Sequence, residues 1–219
     1  MKLSVLIPVY NEEKSVAELI DRVKSVPVDK EIIVVDDHSR DRTLEVLRTI
    51  PGIRVFTHEV NRGKGAGIRT ALAHATGDVV LIQDADLEYS PDDYPVLLAP
   101  FSDPDVDVVY GSRFRGGGDF LFMSKMANYF LTFWTNILFG GKITDMETCY
   151  KAIRRPLFQG LGLTADRFEI EPEITAKLMR RRCRIVEVPI GYKARREGKK
   201  IGPKDGIMAC YFLAKWYLK

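Results

Sequence analysis

The hydrophobic and polar positions follow two alternating periodicities in the first half of the chain. Short apolar runs rich in β-branched residues predict five strands: Leu3 to Val9, Glu31 to Asp36, Arg54 to Thr57, Val79 to Gln83 and Val106 to Tyr110. Helical spacing lies between them, at Glu12 to Lys24, Asp41 to Ile50 and Lys64 to Ala75, with Ser39, Asp41 and Ser90 as candidate caps. This alternation predicts right-handed βαβ units, and therefore an α/β fold with a mostly parallel sheet flanked by helices.

The second half contains a long aromatic segment, residues 120–139, whose one formal charge is Lys125. Polar residues recur along it at steps of three and four residues: Ser124, Asn128, Thr132, Thr135 and Asn136. A narrow polar stripe favours a helix that lies in a membrane interface, apolar face in the lipid, over a helix that crosses the membrane. Packing on the domain core or in a dimer seam is the alternative. A second aromatic helix, residues 205–219, is too short to span a bilayer.

Composition and charge narrow the setting. The 219 residues are 46% hydrophobic and 29% charged, as in ordinary soluble domains. Cys149, Cys183 and Cys210 match neither a zinc spacing nor a disulfide framework, and no signal peptide precedes the first strand, so a cytoplasmic setting is expected. Residues 177–204 hold 11 Lys and Arg against two acidic residues, whereas the remainder holds 22 against 28. This basic strip suggests an anionic partner, or else a solvated face.

Acidic and polar residues follow three of the predicted strands. Asp84 and Asp86 are two apart at a strand end, so their carboxylates point to one face and suit Mg²⁺ or Mn²⁺ completed by substrate phosphates. An ordinary turn is the alternative. Tyr10 to Glu12 and Asp36 to Asp37 share the edge where open α/β sheets bind ligands. The first turn lacks the glycines of a dinucleotide fold, and Asn61 to Gly65 lacks the full spacing of a P-loop.

Four ordered segments carry a family resemblance: Pro8 to Glu12, Val34 to Asp41, Asn61 to Ala66, and Asp84 to Asp86. They resemble the motifs of inverting family-2 glycosyltransferases, which have a nucleotide-sugar-binding GT-A fold. Gly111 to Phe114 and Arg195 to Ile201 narrow the resemblance toward polyprenyl-phosphate glycosyltransferases similar to dolichol-phosphate mannose or glucose synthases. It implies one GT-A domain over 1–219. Residues 1–113 would bind donor and metal, and 114–219 would form the acceptor side with amphipathic interface helices at 120–139 and 205–219.

The resemblance assigns roles to individual residues. Donor binding is implied for Pro8, Tyr10, Glu12, Asp37, Lys64, Asp84, Ala85 and Asp86. The ligands implied for Mg²⁺ or Mn²⁺ are Asp84, Asp86 and Glu88. Catalytic roles are implied for Asp86, Arg113 and Asp145, the last as an acceptor-side or base candidate. The groups implied for an acceptor phosphate are Arg113, Ser124, Lys125, Arg195 and Lys200. The glutamates between Arg167 and Glu173 are expected to favour a helix start, or to shape the acceptor channel.

The implied reaction is metal-dependent transfer of a hexose, mannose or glucose, from a nucleoside diphosphate to a polyprenyl phosphate, with inversion at the anomeric carbon. A phosphate monoester with a second pKa of about 6 is already largely dianionic at neutral pH, so it requires cations rather than a base. Two alternatives remain open: transfer to a saccharide hydroxyl, with Asp145 as base, or a non-catalytic nucleotide-sugar-binding module at the membrane. The expected partners are the donor, the lipid and the cytoplasmic face of a membrane, where the protein would be peripheral, and no nucleic acid is expected.

Overall fold

The computed structural model describes residues 1–195 and 203–218. Their strands are β1 (Leu3–Val9), β2 (Lys30–Asp36), β3 (Arg54–Thr57), β4 (Val79–Ile82), β5 (Val108–Ser112), β6 (Lys151–Arg154) and β7 (Ile185–Pro189). They form one seven-stranded sheet in the order β3-β2-β1-β4-β6-β5-β7. All neighbouring strands run parallel except β6, which is antiparallel to both β4 and β5. The predicted α/β fold with a mostly parallel sheet is therefore confirmed.

Helices connect the strands and flank the sheet. They are α1 (Val16–Ser25), α2 (Thr43–Thr49), α3 (Lys64–Ala73), α4 (Tyr94–Leu98), α5 (Phe122–Phe139), α6 (Arg155–Gly160), α7 (Ile170–Arg180) and α8 (Pro203–Leu218). Short 3₁₀ turns, Pro91–Asp93 and Ala99–Ser102, flank α4. Because parallel strands are covered on both faces, β1, β2 and β4 are continuous apolar runs, and nearly all of their residues are buried.

The helix α1 shows how the sequence pattern produces the packing. Val16, Leu19, Ile20 and Val23 recur at the spacing of one helical face, and all four are buried. At the start of α2, Asp41 accepts the backbone N–H of Thr43 at 3.0 Å, as a capping side chain does. The other candidate cap of that helix, Ser39, is wrong, because its hydroxyl accepts the N–H of Asn11 instead.

The polar stripe of α5 faces the protein rather than water. Thr132 and Thr135 are buried, and the Thr132 hydroxyl accepts the N–H of Met146 at 3.0 Å. The Asn136 amide bonds both the N–H and the carbonyl of Ile143, at 3.0 and 2.8 Å. Leu131 is buried beside them, but seven apolar side chains point outward, each between 47% and 76% exposed: Phe122, Met123, Met126, Tyr129, Phe130, Phe133 and Ile137. These seven residues are called the aromatic face below.

The helix α8 extends this exposed apolar surface. It packs against α5 and α7, and the ring of Phe139 in α5 meets that of Tyr217 edge-on at 5.9 Å. Tyr211, Tyr217 and Leu218 are exposed. Among the described residues, no helix has both the length and the apolar character needed to cross a bilayer.

Candidate functional site

The sheet brings the three predicted polar segments to one edge. Val9 pairs with Asp36 at the ends of β1 and β2, and Leu6 pairs with Ile82 at the end of β4. Backbone bonds continue this alignment, from Asp37 N to Val9 O at 2.8 Å. The segments that follow these strands therefore lie together at the carboxyl edge of the sheet, where α/β folds bind ligands.

Asp37 lies beneath the turn that precedes α3. Its carboxylate accepts the backbone N–H groups of Arg62 at 2.8 Å and Gly63 at 2.6 Å, and it lies 2.7 Å from Nδ1 of His58. Gly63 has φ of +99°, and a Cβ there would lie 2.5 Å from the carbonyl oxygen of Asp166. Asp37 thus fixes the glycine turn, and its predicted donor contact remains a prediction.

Glu12 and Arg195 meet at the first turn. Arg195 Nη1 lies 2.9 and 3.2 Å from the two carboxylate oxygens of Glu12, and the Ser15 hydroxyl donates to the same carboxylate at 2.6 Å. A cavity of about 190 Å³ opens here, lined by Asn11, Glu12, Glu13, Lys14, Asp41 and Arg195. Pro8 and Tyr10 are partly exposed at the end of β1. Arg195, for which acceptor-phosphate binding was predicted, therefore contacts Glu12, for which donor binding was predicted.

Asp84 and Asp86 follow β4 and face a lysine. The Nζ atom of Lys64, the first residue of α3, lies 2.7 Å from Oδ1 of Asp84. The pKa of Asp86 is raised to about 7, first by burial and then by the nearby carboxylates of Asp84 and Glu88. Ala85 is buried between the two aspartates. A cation bound between them would relieve this repulsion.

The Glu88 carboxylate is hydrogen-bonded to residues other than the two aspartates. Leu87 has φ of +63°, and beyond this bend the Glu88 carboxylate accepts the Tyr192 hydroxyl at 2.8 Å and the Arg195 N–H at 2.6 Å. No set of three or more Asp, Glu, His or Cys in the described residues is placed to hold a metal. The role of Glu88 as a third metal ligand therefore remains a prediction. Asp84 and Asp86 as a pair fit Mg²⁺ or Mn²⁺, which bind through one or two carboxylates when substrate phosphates complete the shell.

A buried row of charges extends from Asp84 into the protein. Lys64 Nζ lies 2.9 Å from Oε1 of Glu171 in α7, and the other oxygen of Glu171 pairs with Nζ of Lys151 in β6. The Lys151 side chain is fully buried. Asp84, Lys64, Glu171 and Lys151 are called the charge row below. The sequence predicted Asp84 and Lys64 as donor-binding residues, and it gave Glu171 only a role at a helix start or in the acceptor channel. The contact of Glu171 with Lys64 and Lys151 was not predicted, since no local motif joins β6 to α7.

Arg113 and Asp145 form a second buried pair. Arg113 donates from Nε to Oδ2 and from Nη2 to Oδ1 of Asp145, both at 2.7 Å, and from its backbone N–H at 3.0 Å. Asp145 has no exposed surface, and the guanidinium lies 5.3 Å from the Phe120 ring centroid and 5.0 Å from that of Tyr192. The two side chains are turned toward each other, because carboxylate and guanidinium satisfy one another bidentately. The catalytic role predicted for both residues, and the acceptor-phosphate contact predicted for Arg113, remain predictions.

The remaining acceptor candidates lie on separate elements. Ser124 and Lys125 are in the first turn of α5, where Lys125 is exposed and Ser124 is partly buried. Lys200 lies outside the described residues. The structure therefore does not bring the five predicted acceptor groups into one cluster, and their contact with an acceptor phosphate remains a prediction.

Glu147 is a titratable group that the sequence did not single out. Its Oε1 atom and the Thr148 hydroxyl are buried and have no hydrogen-bond partner in the part of the chain that the structure describes. Burial, opposed mainly by Lys151, raises the pKa of Glu147 to about 7. Glu147 is thus a carboxyl group whose charge changes near neutral pH beside the Arg113 and Asp145 pair.

The chain matches the glycosyl transferase family 2 over residues 4–162. It belongs to that family. The match covers more than half of the chain and contains all three polar segments of the sheet edge, so the family resemblance of the motifs is confirmed.

Two similar proteins are named as sugar transferases of dolichol phosphate. The dolichol-phosphate mannosyltransferase of Pyrococcus furiosus is 30% identical over 99% of this chain, which spans 64% of that protein's length. A UDP-N-acetylglucosamine–dolichyl-phosphate N-acetylglucosaminyltransferase of Methanococcus voltae is 28% identical over 85% of this chain and 83% of its own.

Solved structures confirm the GT-A architecture. Glucosyl-3-phosphoglycerate synthase of Mycobacterium tuberculosis, in complex with Mg²⁺ and uridine diphosphate, superposes with a TM-score of 0.75 over 99% of this chain and 78% of its own, at 24% identity. That structure is of a GT-A protein that holds a divalent metal and a nucleoside diphosphate.

Proposed function

We propose that this family-2 domain transfers a hexose, mannose or glucose, from a nucleoside-diphosphate sugar to a polyprenyl phosphate at the cytoplasmic face of a membrane, with Mg²⁺ or Mn²⁺. The donor side of the proposal is supported by the polar edge of the sheet. It carries a metal-suited carboxylate pair, a lysine 2.7 Å from Asp84, and a cavity beside Glu12.

The observation that carries the lipid acceptor is the orientation of α5. A surface helix of a soluble domain normally buries its apolar side chains, but α5 buries only Leu131 of them, together with Thr132 and Thr135, and exposes the aromatic face. An exposed apolar surface of this kind marks an interaction site. Because α8 adds further exposed aromatic residues beside it, the proposal places both helices in the lipid interface, where aromatic rings are favoured.

Aromatic rings link this surface to Arg113. Tyr129 of the aromatic face meets Phe114 at 4.3 Å between centroids, Phe114 stacks on Phe120 at 4.7 Å, and the Phe120 centroid lies 5.3 Å from the Arg113 guanidinium. The proposal places the hydrocarbon chain of the acceptor against these apolar rings, which lead toward Arg113. A phosphate acceptor requires no base, whereas a hydroxyl acceptor does, and the base candidate Asp145 is held by Arg113.

The mechanism follows from these positions. A divalent cation bound at Asp84 and Asp86 would neutralise the charge that develops on the departing diphosphate. Lys64 would add a second cation on the same group, and Glu12 would orient the nucleoside. The acceptor phosphate oxygen attacks the anomeric carbon on the face opposite to the diphosphate. The bond between the anomeric carbon and the diphosphate oxygen breaks, so the configuration inverts. The acceptor needs no proton removal, because it is already ionised.

The test is transfer of labelled sugar from UDP-glucose, GDP-mannose and UDP-N-acetylglucosamine to polyprenyl phosphate, with Mn²⁺ or Mg²⁺. We expect label in an organic-extractable product with one donor, and its loss with chelator or in Asp86→Asn. The matched control is Asp105→Asn, an exposed aspartate of a distant loop. Donor binding without any transfer would support a binding module instead. Transfer to saccharides that Asp145→Asn abolishes would support the hydroxyl acceptor.

A further inference from the structure

The charge row contains more buried charge than a metal site alone requires. Lys64 is 13% exposed in its side chain, Glu171 5% and Lys151 0%. Lys151 is additionally held by the carbonyl of Thr148 and lies 5.1 Å from the centroid of the Tyr110 ring. Burying three charged groups in one row is unfavourable unless each is paired, so the position of each depends on its neighbour.

Lys64 stands at an unusual place for a lysine. It is the first residue of α3, where the helix dipole disfavours a positive charge and favours an anion. Its ammonium group lies between Asp84 on the substrate side and Glu171 on the protein side, at 2.7 and 2.9 Å. The contact with Glu171 is an ion pair without a hydrogen bond, because Glu171 Oε1 has no hydrogen-bond partner in the described residues. An ammonium group has three N–H donors, so Lys64 keeps the capacity for a further acceptor.

The backbone around Lys64 is also fixed from the α7 side. A Cβ at Gly65 would collide with the carbonyl of Ala165, and the N–H of Ala66 donates to the carbonyl of Asp166 at 3.0 Å. The Glu173 carboxylate of α7 in turn accepts the N–H of Ala165 at 2.7 Å. The N-terminus of α3 therefore packs directly against the segment that precedes α7. These contacts fix the distance between Lys64 and Glu171.

A cation bound at Asp84 would compete with Lys64 for that carboxylate. Without Glu171, Lys64 would have Asp84 as its nearest carboxylate and would oppose metal binding there. Glu171 contacts Lys64 on the side away from Asp84, and Lys151 pairs with Glu171. Lys64 would therefore keep a carboxylate partner if Asp84 bound a metal. Its ammonium group would stay beside Asp84, with an N–H donor for the diphosphate.

We infer that Glu171 and Lys151 are positioning residues that hold Lys64 against the diphosphate of the donor. This inference rests on the proposed function for the class of donor, but not on its lipid acceptor. It assigns a donor-binding role to β6 and α7, on the half of the chain that was expected to serve the acceptor.

The test uses a charge-balanced pair of substitutions. Glu171→Gln alone leaves Lys151 buried without a carboxylate, so loss of folding is expected to obscure its effect on binding. The double variant Glu171→Gln, Lys151→Met removes one acid and one base together. The ligand is UDP or GDP, whichever binds the unaltered protein more tightly. Calorimetry with saturating Mn²⁺ gives the Kd for this nucleoside diphosphate and the Kd for the corresponding nucleoside. A thermal melt of each protein checks folding.

We expect the double variant to melt within a few degrees of the unaltered protein and to bind the diphosphate at least tenfold more weakly, with nucleoside affinity unchanged. Lys64→Met should weaken diphosphate binding similarly, and adding it to the double variant should cause little further loss, because the residues act together. A folded double variant that binds the diphosphate as tightly as the unaltered protein would overturn the inference. If the unaltered protein binds neither UDP nor GDP, the proposed donor class is wrong. Failure of the proposed function is thereby distinguished from failure of the positioning role of Glu171 and Lys151.

Discussion

Arg113 and Asp145 show, at the scale of single residues, how burial changes the role of a charged group. Both side chains are shielded from water, and together they form two side-chain hydrogen bonds of 2.7 Å. A buried pair of this geometry contributes little net stability compared with apolar residues, but removing one partner leaves an uncompensated charge. Asp145 is therefore expected to act first as the partner that holds Arg113 in place.

Asp145→Asn should accordingly lower the free energy of unfolding by about 3–5 kcal/mol, because Arg113 would keep its charge without a carboxylate. Urea denaturation followed by circular dichroism measures this change. Asp105→Asn, on an exposed loop, should leave the midpoint unchanged. A stable Asp145→Asn protein with abolished sugar transfer would contradict this account and would make Asp145 a base in the chemistry.

Glu147 predicts a dependence of stability on pH. Its pKa is about 7 in the folded protein against an ordinary value of 4.5, so the folded state holds this proton more tightly than the unfolded state does. Its contribution to stability is therefore fully present below pH 4.5 and is lost between pH 4.5 and 7, at up to about 1.4 kcal/mol per pH unit.

Glu147→Gln removes this titration. The difference in unfolding free energy between Glu147→Gln and the unaltered protein should shift in favour of the variant as pH rises from 4.5 to 7, and then become constant. Denaturation at several pH values measures it, with Glu13→Gln at a partly exposed position as the matched control. A difference that does not change with pH would show that Glu147 has the same pKa in the folded and unfolded protein, and would contradict the raised pKa.

Some site residues could be predicted from the sequence and others could not. Asp84 and Asp86 could be picked out from the sequence because both follow the apolar run that forms β4. The pairing of Lys151 with Glu171 could not, because they are 20 positions apart and their contact depends on how β6 and α7 pack. The contacts of Glu88 with Tyr192 and Arg195 could not be predicted either, because the positive φ of Leu87 is not visible in the pattern of polar residues.

At the scale of elements, α5 has the opposite polarity to an ordinary surface helix. The polar stripe predicted a helix with one apolar side facing lipid, and the structure exposes that side while Thr132 and Asn136 bond the loop that follows. The five strands of the first half were predictable because their apolar runs are long and β-branched. β6 and β7 were not, because Lys151 and Glu187 interrupt their hydrophobic pattern with buried charges that are paired only in the folded protein.

The double variant Phe130→Ser, Phe133→Ser tests the aromatic face. Both rings are more than half exposed, so their loss should leave the melting temperature nearly unchanged. If they insert into lipid, each contributes on the order of 1.5–3 kcal/mol of burial, and binding to vesicles with anionic lipid should fall at least tenfold. Co-sedimentation with vesicles measures the binding. Val60→Ser, an equally exposed apolar residue on another surface, is the control, and equal binding by the double variant would remove α5 from the interface.

At the scale of the whole molecule, the polar carboxyl edge of the sheet and the aromatic face of α5 are different surfaces. The carboxylates of the sheet edge follow β1, β2 and β4, and the rings of Phe114 and Phe120 connect the aromatic face to Arg113, which follows β5. The proposed function uses this arrangement, because a water-soluble donor and a lipid acceptor arrive from different phases.

The most direct test of the proposed lipid acceptor is a competition between a lipid phosphate and a soluble phosphate. The protein, its preferred donor with labelled sugar, Mn²⁺, polyprenyl phosphate in vesicles and 3-phosphoglycerate in solution are combined, and the label is measured in the organic and aqueous products. With a lipid acceptor and a metal-dependent reaction, most transferred label enters the organic product, and chelator abolishes the transfer. Label that passes to 3-phosphoglycerate while the lipid stays unlabelled would contradict the lipid acceptor and the role assigned to the aromatic face.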